Sequence, residues 1–277
     1  MTRFSDATDL SGRVAIVTGG ARGMGFATAK LLAEAGAQVL IGDLDRDATE
    51  AAVSQLGERA AGHVGDITLP GEADALVAAA IGRFGQLDIV INNAGYNWDA
   101  PLAEMTDEQW DAMLAIHATA PFRILRAAAP HLIGADGARP SHNRKVVNMS
   151  SVSGTMGEPW QQNYNAGKAA ILGLTKGLAR EWAEHRINVN AVAPGIIDTR
   201  LTQLDDAGES IDVGSHHVSL GLSAERRSDL TDIVPLGRAG TVEEVASLVF
   251  YLCTPASDYI HGQVMSVTGG LVMGMSS

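Results

Sequence analysis

Short apolar runs alternate along the chain with longer stretches whose apolar residues recur at helical spacing. Runs at 15–19 (AIVTG), 39–43 (VLIGD), 61–67 (AGHVGDI), 88–95 (DIVINNAG), 145–151 (KVVNMSS), 187–195 (INVNAVAPG) and 263–269 (QVMSVTG) read as strands. The spans 24–35, 46–56, 71–84, 107–132, 161–184 and 242–252 read as helices. Near-continuous apolar strands suit a sheet covered on both faces. Strand–helix alternation builds such a sheet, mostly parallel, so the pattern predicts a single α/β domain over 1–277, doubly wound around seven strands.

Three segments break the rhythm. Residues 1–9 read as a polar N-terminal tail, and 134–145 (GADGARPSHNRK) as a solvated surface excursion. Residues 200–236 are too long for a simple connection and read as a functional or mobile segment. That loop holds Asp205, Asp206, His216, His217, Arg226 and Arg227, each expected first as solvated surface. Neighbouring histidines do not share a face of a helix or strand, and no third ligand accompanies them, so no metal site is expected.

Composition narrows the class. A chain of 277 residues can bury a sizeable core. A formal charge of −12 at pH 7 argues against nucleic acid, whose phosphates it would repel. Cys253 is the single cysteine, which rules out an intrachain disulfide and suggests a reducing compartment. No apolar run approaches the ~20 residues of a membrane span, and the polar opening lacks a signal-peptide pattern. The expectation is a cytoplasmic protein with no membrane partner.

Four features carry chemistry. The loop TGGARGMG at 18–25 stands between a predicted strand and a predicted helix, where backbone N–H groups and a positive helix end can hold a pyrophosphate. Its spacing is not that of the generic G-x-G-x-x-G fingerprint. Asp43 ends the second strand about twenty residues on, where a carboxylate can accept from ribose hydroxyls and repel a 2′-phosphate. That favours NAD, while Arg22 and Arg46, either of which could pair with a 2′-phosphate, leave NADP open. Ser150 and Ser151 end the fifth strand at the mouth expected to bind ligands. Tyr164 and Lys168 lie four residues apart on one helix face, setting a phenol beside an ammonium that could depress its pKa.

With TGGARGMG, Asp66 in GDIT, NNAG at 92–95, Ser151, Tyr164 with Lys168, APGIIDT at 193–199 and GQVMSVTGG at 262–270 in register, the chain resembles the short-chain dehydrogenase/reductase family from about Leu10 onward. The resemblance implies a Rossmann-type domain with 200–236 as a substrate-covering loop, and makes Ser151, thirteen residues before Tyr164, the catalytic serine. It implies a nicotinamide dinucleotide held by Thr18, Gly19, Arg22, Gly23, Met24, Gly25, Asp43 and Leu44. Asp66 and Ile67 would meet the adenine, and Asn93, Ala94 and Gly95 would wall the adenosine ribose. Pro194, Gly195, Ile197 and Thr199 would stand on the nicotinamide side, with Tyr164 and Lys168 beside them. His117 stands where the family usually has asparagine; its carbonyl could serve the same water relay, and its imidazole could titrate near neutral pH.

The implied reaction is hydride transfer between the dinucleotide and a secondary alcohol or ketone. Tyr164 would move the proton, Lys168 would lower its pKa by about three units, and Ser151 would orient the oxygen. The sequence around Tyr164 and the closing stretch look most like 3-oxoacyl-thioester reductases. A cyclic or aliphatic secondary alcohol or polyol is the alternative, and a non-catalytic dinucleotide sensor or scaffold is the alternative of another class. Met156, Trp160 and Trp98 could line an apolar pocket. Family habit implies a homotetramer through the helices starting near Asp107 and Gln161.

Overall fold

A computed structural model of the chain describes residues 4–134, 141–204, 210–213 and 216–272. The first half comprises α1 (Phe4–Thr8), β1 (Val14–Thr18), α2 (Gly23–Glu34), β2 (Gln38–Asp43), α3 (Arg46–Leu56), β3 (Ala60–Val64), α4 (Glu72–Phe84), β4 (Ile89–Asn92), α5 (Asp107–Leu114) and α6 (Ala120–Ile133). The second comprises β5 (Arg144–Met149), α7 (Ser153–Met156), α8 (Gln162–Trp182), β6 (Ile187–Pro194), β7 (Ser210–Val213), β8 (His216–Ser219), α9 (Ala224–Asp232), α10 (Val242–Cys253) and β9 (Val264–Val267).

Seven strands form one parallel sheet in the order β3-β2-β1-β4-β5-β6-β9. The chain winds outward from β1 to β3, then returns past β1 to β4 and continues the other way. The reversal between β1 and β4 leaves a crevice at their carboxyl ends, which is where open α/β sheets take ligands.

Alternation of side chains across a strand explains the apolar runs. Ala15 and Val17 of β1 face a core with Leu32 of α2 and Val245 and Val249 of α10. Ile16 between them faces the opposite core, with Leu76 of α4 and Ile124 of α6. Full burial of each such large side chain is worth ~1.5–3 kcal/mol, so both helical layers are tied to the sheet from the same short strand. Helix starts follow their caps. Asp45 accepts from the Ala48 amide at α3, and Thr106–Gln109 and Thr241–Glu244 form capping boxes at α5 and α10.

The structure departs from the sequence pattern at four places. Residues 4–8 of the expected tail form α1. The expected excursion ends two residues early, because Arg144 and Lys145 open β5. Lys145 is buried there, its Nζ donating to Asn188 Oδ1 (3.1 Å), Ser257 Oγ (3.2 Å) and Asp258 Oδ1 (2.7 Å), so a charge that reads as solvated is paired instead. Between α5 and α6, Ala115–Thr119 form a π-turn that periodicity does not announce. The loop over 200–236 holds an antiparallel β7–β8 pair and α9. Asp205 and Asp206 lie outside the described residues, as do the side chains of His216 and His217, whose backbone belongs to β8.

Candidate active site

Two cavities meet at the β1–β4 crevice. The first, ≈ 230 Å³, is lined by Gly19, Arg22, Gly23, Gly25, Asp43, Leu44, Asp66, Ile67 and Ala94 among others. The second, ≈ 330 Å³, takes in Ser151, Tyr164, Lys168, His117, Pro194, Gly195 and Ile197. Met24, Asn93, Gly95, Thr199 and Leu201 line both, so the two are one continuous cleft sized for small molecules. Every expected dinucleotide-binding residue except Thr18 faces one cavity or the other. Thr18 is buried instead, its Oγ1 donating to the Ile91 carbonyl and accepting from the Asn93 and Ala94 amides, which ties the ends of β1 and β4 together.

The first cavity fits a pyrophosphate on its own geometry. A Cβ on Gly25 would stand 2.1 Å from the Gly19 carbonyl oxygen, so α2 reaches the strand only with glycine there. Gly23 has φ +54 and no protein atom within 4 Å of where a Cβ would be, leaving its backbone open to the cleft. The first turn of α2 carries no acidic residue and Arg22 at its N-cap makes no side-chain cap, so free N–H groups and the positive helix end face the cavity.

At the far end of this cavity, Asp43 accepts from the amides of Ala21 (3.1 Å) and Asp45 (3.2 Å). The N-cap of α3 is Asp45, so Asp43 is not a helix cap. Arg22 is paired with Asp45 at 2.7 Å and Arg46 with Glu50 at 3.9 Å. Asp66 accepts from the Thr68 amide and hydroxyl.

Ser151, Tyr164 and Lys168 converge in the second cavity from the end of β5 and the first turns of α8. Two asparagines seat that helix: Asn163 Nδ2 donates to the carbonyls of Trp98 and Gln109 (both 3.0 Å), and Asn165 exchanges two bonds with the Glu158 backbone. Ser150 points away and donates to the Lys168 carbonyl, so of the two adjacent hydroxyls only Ser151 bears on the phenol. Lys168 Nζ donates to the Met149 carbonyl at 2.8 Å and lies 5.5 Å from the Tyr164 ring centroid.

The electrostatics differ from the sequence expectation. Burial pushes the Tyr164 phenol up to about 12, partly offset by the Ser151 hydrogen bond. Burial pushes Lys168 down to about 7. Desolvation wins because both groups are buried, and burial penalises the charged form of each. At neutral pH the tyrosine is a protonated acid.

His117 lies in the π-turn and is 3% exposed. Its Nε2 bonds to the Tyr96 carbonyl at 2.7 Å; a carbonyl only accepts, so Nε2 carries the proton. The ring meets Tyr164 edge-on, 4.9 Å between centroids. Burial, and then the Lys168 charge, hold the imidazole well below its ordinary value, so it does not titrate near neutral pH as the sequence allowed.

The 200–236 segment serves both cavities. Ile211, Asp212 and Leu220 line the first, whereas Leu222, Arg226, Leu230 and Ile233 line the second. Arg226 and Arg227 are not free surface cations. Arg226 pairs with Glu158 and stacks on Trp160 at 5.4 Å, and Arg227 pairs with Asp198 at 2.9 Å. Met156 and Trp160 line the mouth, 58% and 54% exposed, while Trp98 packs on the core. Sequence reasoning missed Glu158, Asn163 and Asn165; the asparagines flanking Tyr164 in NYN were the available signal.

Comparison with known proteins agrees with this geometry. A family model described as Enoyl-(Acyl carrier protein) reductase matches residues 19–272. A 3-oxoacyl-(acyl-carrier-protein) reductase of Thermotoga maritima is 34% identical over 95% of this chain and 99% of its own length. The reductase of the same description from Vibrio cholerae is 36% identical over 96% and 99%. A crystal structure from Brucella melitensis, described as a short-chain dehydrogenase/reductase of glucose/ribitol dehydrogenase type, superposes with a TM-score of 0.80 at 29% identity, covering 96% of this chain and 99% of that one. With a glycine cradle at the sheet crossover and a Ser–Tyr–Lys cluster beside it, matched along nearly the whole chain, the protein belongs to the short-chain dehydrogenase/reductase family and is an NAD(P)-dependent oxidoreductase.

Proposed function

We propose that the protein reduces the ketone of a 3-oxoacyl thioester, with Tyr164 as the acid, Ser151 as the donor that orients the carbonyl oxygen and Lys168 as the cation that stabilises the phenolate left behind. The observation that carries this reading is the convergence of these three groups on one cavity. The dinucleotide, when bound, supplies the hydride. A neutral phenol is the form a reductase needs, because it gives its proton to the oxygen as charge develops there. The Ser151 hydroxyl holds that oxygen within reach. The exposed apolar rim of Met156, Trp160 and Ile233 suits an acyl chain.

NAD is the preferred dinucleotide in this reading. Asp43 lines the first cavity, and of the two arginines that could greet a 2′-phosphate Arg22 is paired with Asp45 at 2.7 Å, while Arg46 meets Glu50 only at 3.9 Å on the exposed face of α3. We also read the protein as a cytoplasmic homotetramer acting on a small molecule, with the thiol of Cys253 buried and therefore inert. Among the described residues no helix is long and apolar enough to cross a membrane.

One feature of the pocket favours a second reading. Asp99 accepts from Asn97 (3.0 Å) and Gln161 (2.8 Å), and all three line the second cavity, a polar wall that would suit a hydroxylated secondary alcohol. Initial rates of acetoacetyl-CoA reduction with NADH and NADPH, run beside a panel of polyols and cyclic alcohols, separate the two. Faster turnover of the thioester with NADH is expected. A preference for NADPH would overturn the role of Asp43, and turnover confined to alcohols would overturn the thioester.

A further inference from the structure

The stretch from Ser151 to Tyr164 carries the two hydroxyls of the site at its ends, and near its middle the backbone is strained. Trp160 has φ +65, in the left-handed region, which a bulky side chain enters only where its surroundings over-determine it. Two contacts do so. The Trp160 carbonyl accepts from the Ala100 amide at 2.9 Å, and the Arg226 guanidinium lies over the indole, 5.4 Å from the ring centroid.

The second of these contacts comes from α9. Arg226 also donates through Nη2 to Glu158 Oε1, two residues before Trp160, so one side chain grips the turn at two points. A planar guanidinium pairs in its plane and stacks on its face at once, which a lysine ammonium does not. From Glu158 the contacts continue into α8. Asn165, the neighbour of Tyr164, accepts from the Glu158 amide at 3.2 Å and donates to the Glu158 carbonyl at 2.9 Å. Gln161, which follows Trp160, accepts at its carbonyl from the Asn165 amide (2.7 Å), while its side chain donates to Asp99 (2.8 Å). Every link from α9 to the first turn of α8 is therefore a hydrogen bond, an ion pair or a stacked ring.

We infer that Arg226 is a positioning residue: by gripping Glu158 and Trp160 it holds the strained turn, and through Asn165 it fixes the first turn of α8 with Tyr164 beside Ser151. Without that grip the turn relaxes towards an ordinary backbone angle. Because Trp160 and Gln161 lead directly into α8, the helix start that carries Tyr164 moves with it. α9 then does more than line the second cavity, since it completes the catalytic geometry from the covering segment. A residue that only touched substrate would act on affinity, whereas this one acts on rate. The role rests on the part proposed for Tyr164.

Three substitutions cut the connection at different points. Arg226→Gln removes the cation, Asn165→Leu removes the last link, and Glu158→Gln reaches the same ion pair from the other side should Arg226→Gln not fold. The first readout is the single-turnover rate of NADH oxidation with the ketone that the parent reduces fastest. Each variant should slow that rate about tenfold, with the half-saturating ketone concentration and NADH affinity within about twofold of the parent. The Arg226→Gln/Asn165→Leu double variant should be no slower than its slower single, because both break one connection. A raised half-saturating concentration at an unchanged rate would make Arg226 a substrate contact, and losses that multiply to about 100-fold would make the two residues independent; either overturns the inference. The second readout needs no turnover. With 13C at tyrosine Cζ the protein gives signals from four tyrosines, and Tyr164→Phe identifies that of Tyr164 by its loss. This signal should shift in the same direction in Arg226→Gln and Asn165→Leu, and one that stays in place overturns the inference. A Tyr164→Phe protein that still turned over would instead remove Tyr164 as the acid and leave its placement by Arg226 to be judged from the spectra.

Discussion

Lys168 is the residue at which function and stability pull apart. Its buried ammonium titrates at about 7, and in the unfolded chain it would titrate as an ordinary lysine near 10.5. A cation whose folded pKa is depressed costs stability in full below that folded value, and the cost is relieved as pH rises towards the unfolded one. Lys168→Met, which keeps the length and removes the charge, should therefore stabilise the protein at pH 7 by on the order of 2–4 kcal/mol while abolishing turnover. Thermal melts at pH 6, 7 and 9 test this; the gain in Tm should shrink at pH 9, and a variant less stable than its parent at pH 7 would contradict it. That Tyr164 and Lys168 are neighbours was legible from their spacing, because residues four apart on a helix share a face. Their pKa values were not, because desolvation depends on what packs around a side chain and spacing says nothing of that.

At the scale of elements, the loop from β1 into α2 is where sequence pattern and geometry coincide most closely. An alanine at Gly25 would bring a methyl group to 2.1 Å from the Gly19 carbonyl, a collision with backbone that no rotamer relieves. Gly25→Ala should cost on the order of 1–3 kcal/mol in a urea melt and weaken dinucleotide binding measured by fluorescence titration, since α2 must back away from β1. Unchanged binding would mean that the helix end does not hold the cofactor. The inner strands were visible as apolar runs because both faces of the sheet are buried there, as all five residues of β1 and all eight of β6 show. The π-turn was invisible, since one extra residue inside a continuous helical pattern shifts periodicity too little to be seen. α9 escaped for a different reason. None of its residues is buried, so it carries no apolar stripe, and only the Ser223 cap hints at its start.

Across the whole molecule the long segment after β6 was recognisable as more than a connection, but not as lining two cavities, because which cavity each part reaches is set by tertiary packing. The partners of Arg226 and Lys145 were likewise hidden: Glu158 lies 68 positions from the first and Asp258 113 from the second. What sequence did reveal was the order of motifs along the sheet's carboxyl edge, which was enough to place the cleft. The cleft has two chambers with a shared wall, and the glycine loop and Asp43 hold one while Ser151, Tyr164 and Lys168 stand in the other. Binding of the dinucleotide and turnover should therefore come apart when the phenol oxygen alone is removed. The most direct measurement is a comparison of the parent with Tyr164→Phe for both NADH affinity and the rate of reduction of its best ketone substrate. Affinity should stay within about twofold of the parent and the rate should fall by at least about 100-fold, the contribution expected of a general acid. A variant that keeps a substantial fraction of the rate would show that Tyr164 is not the acid.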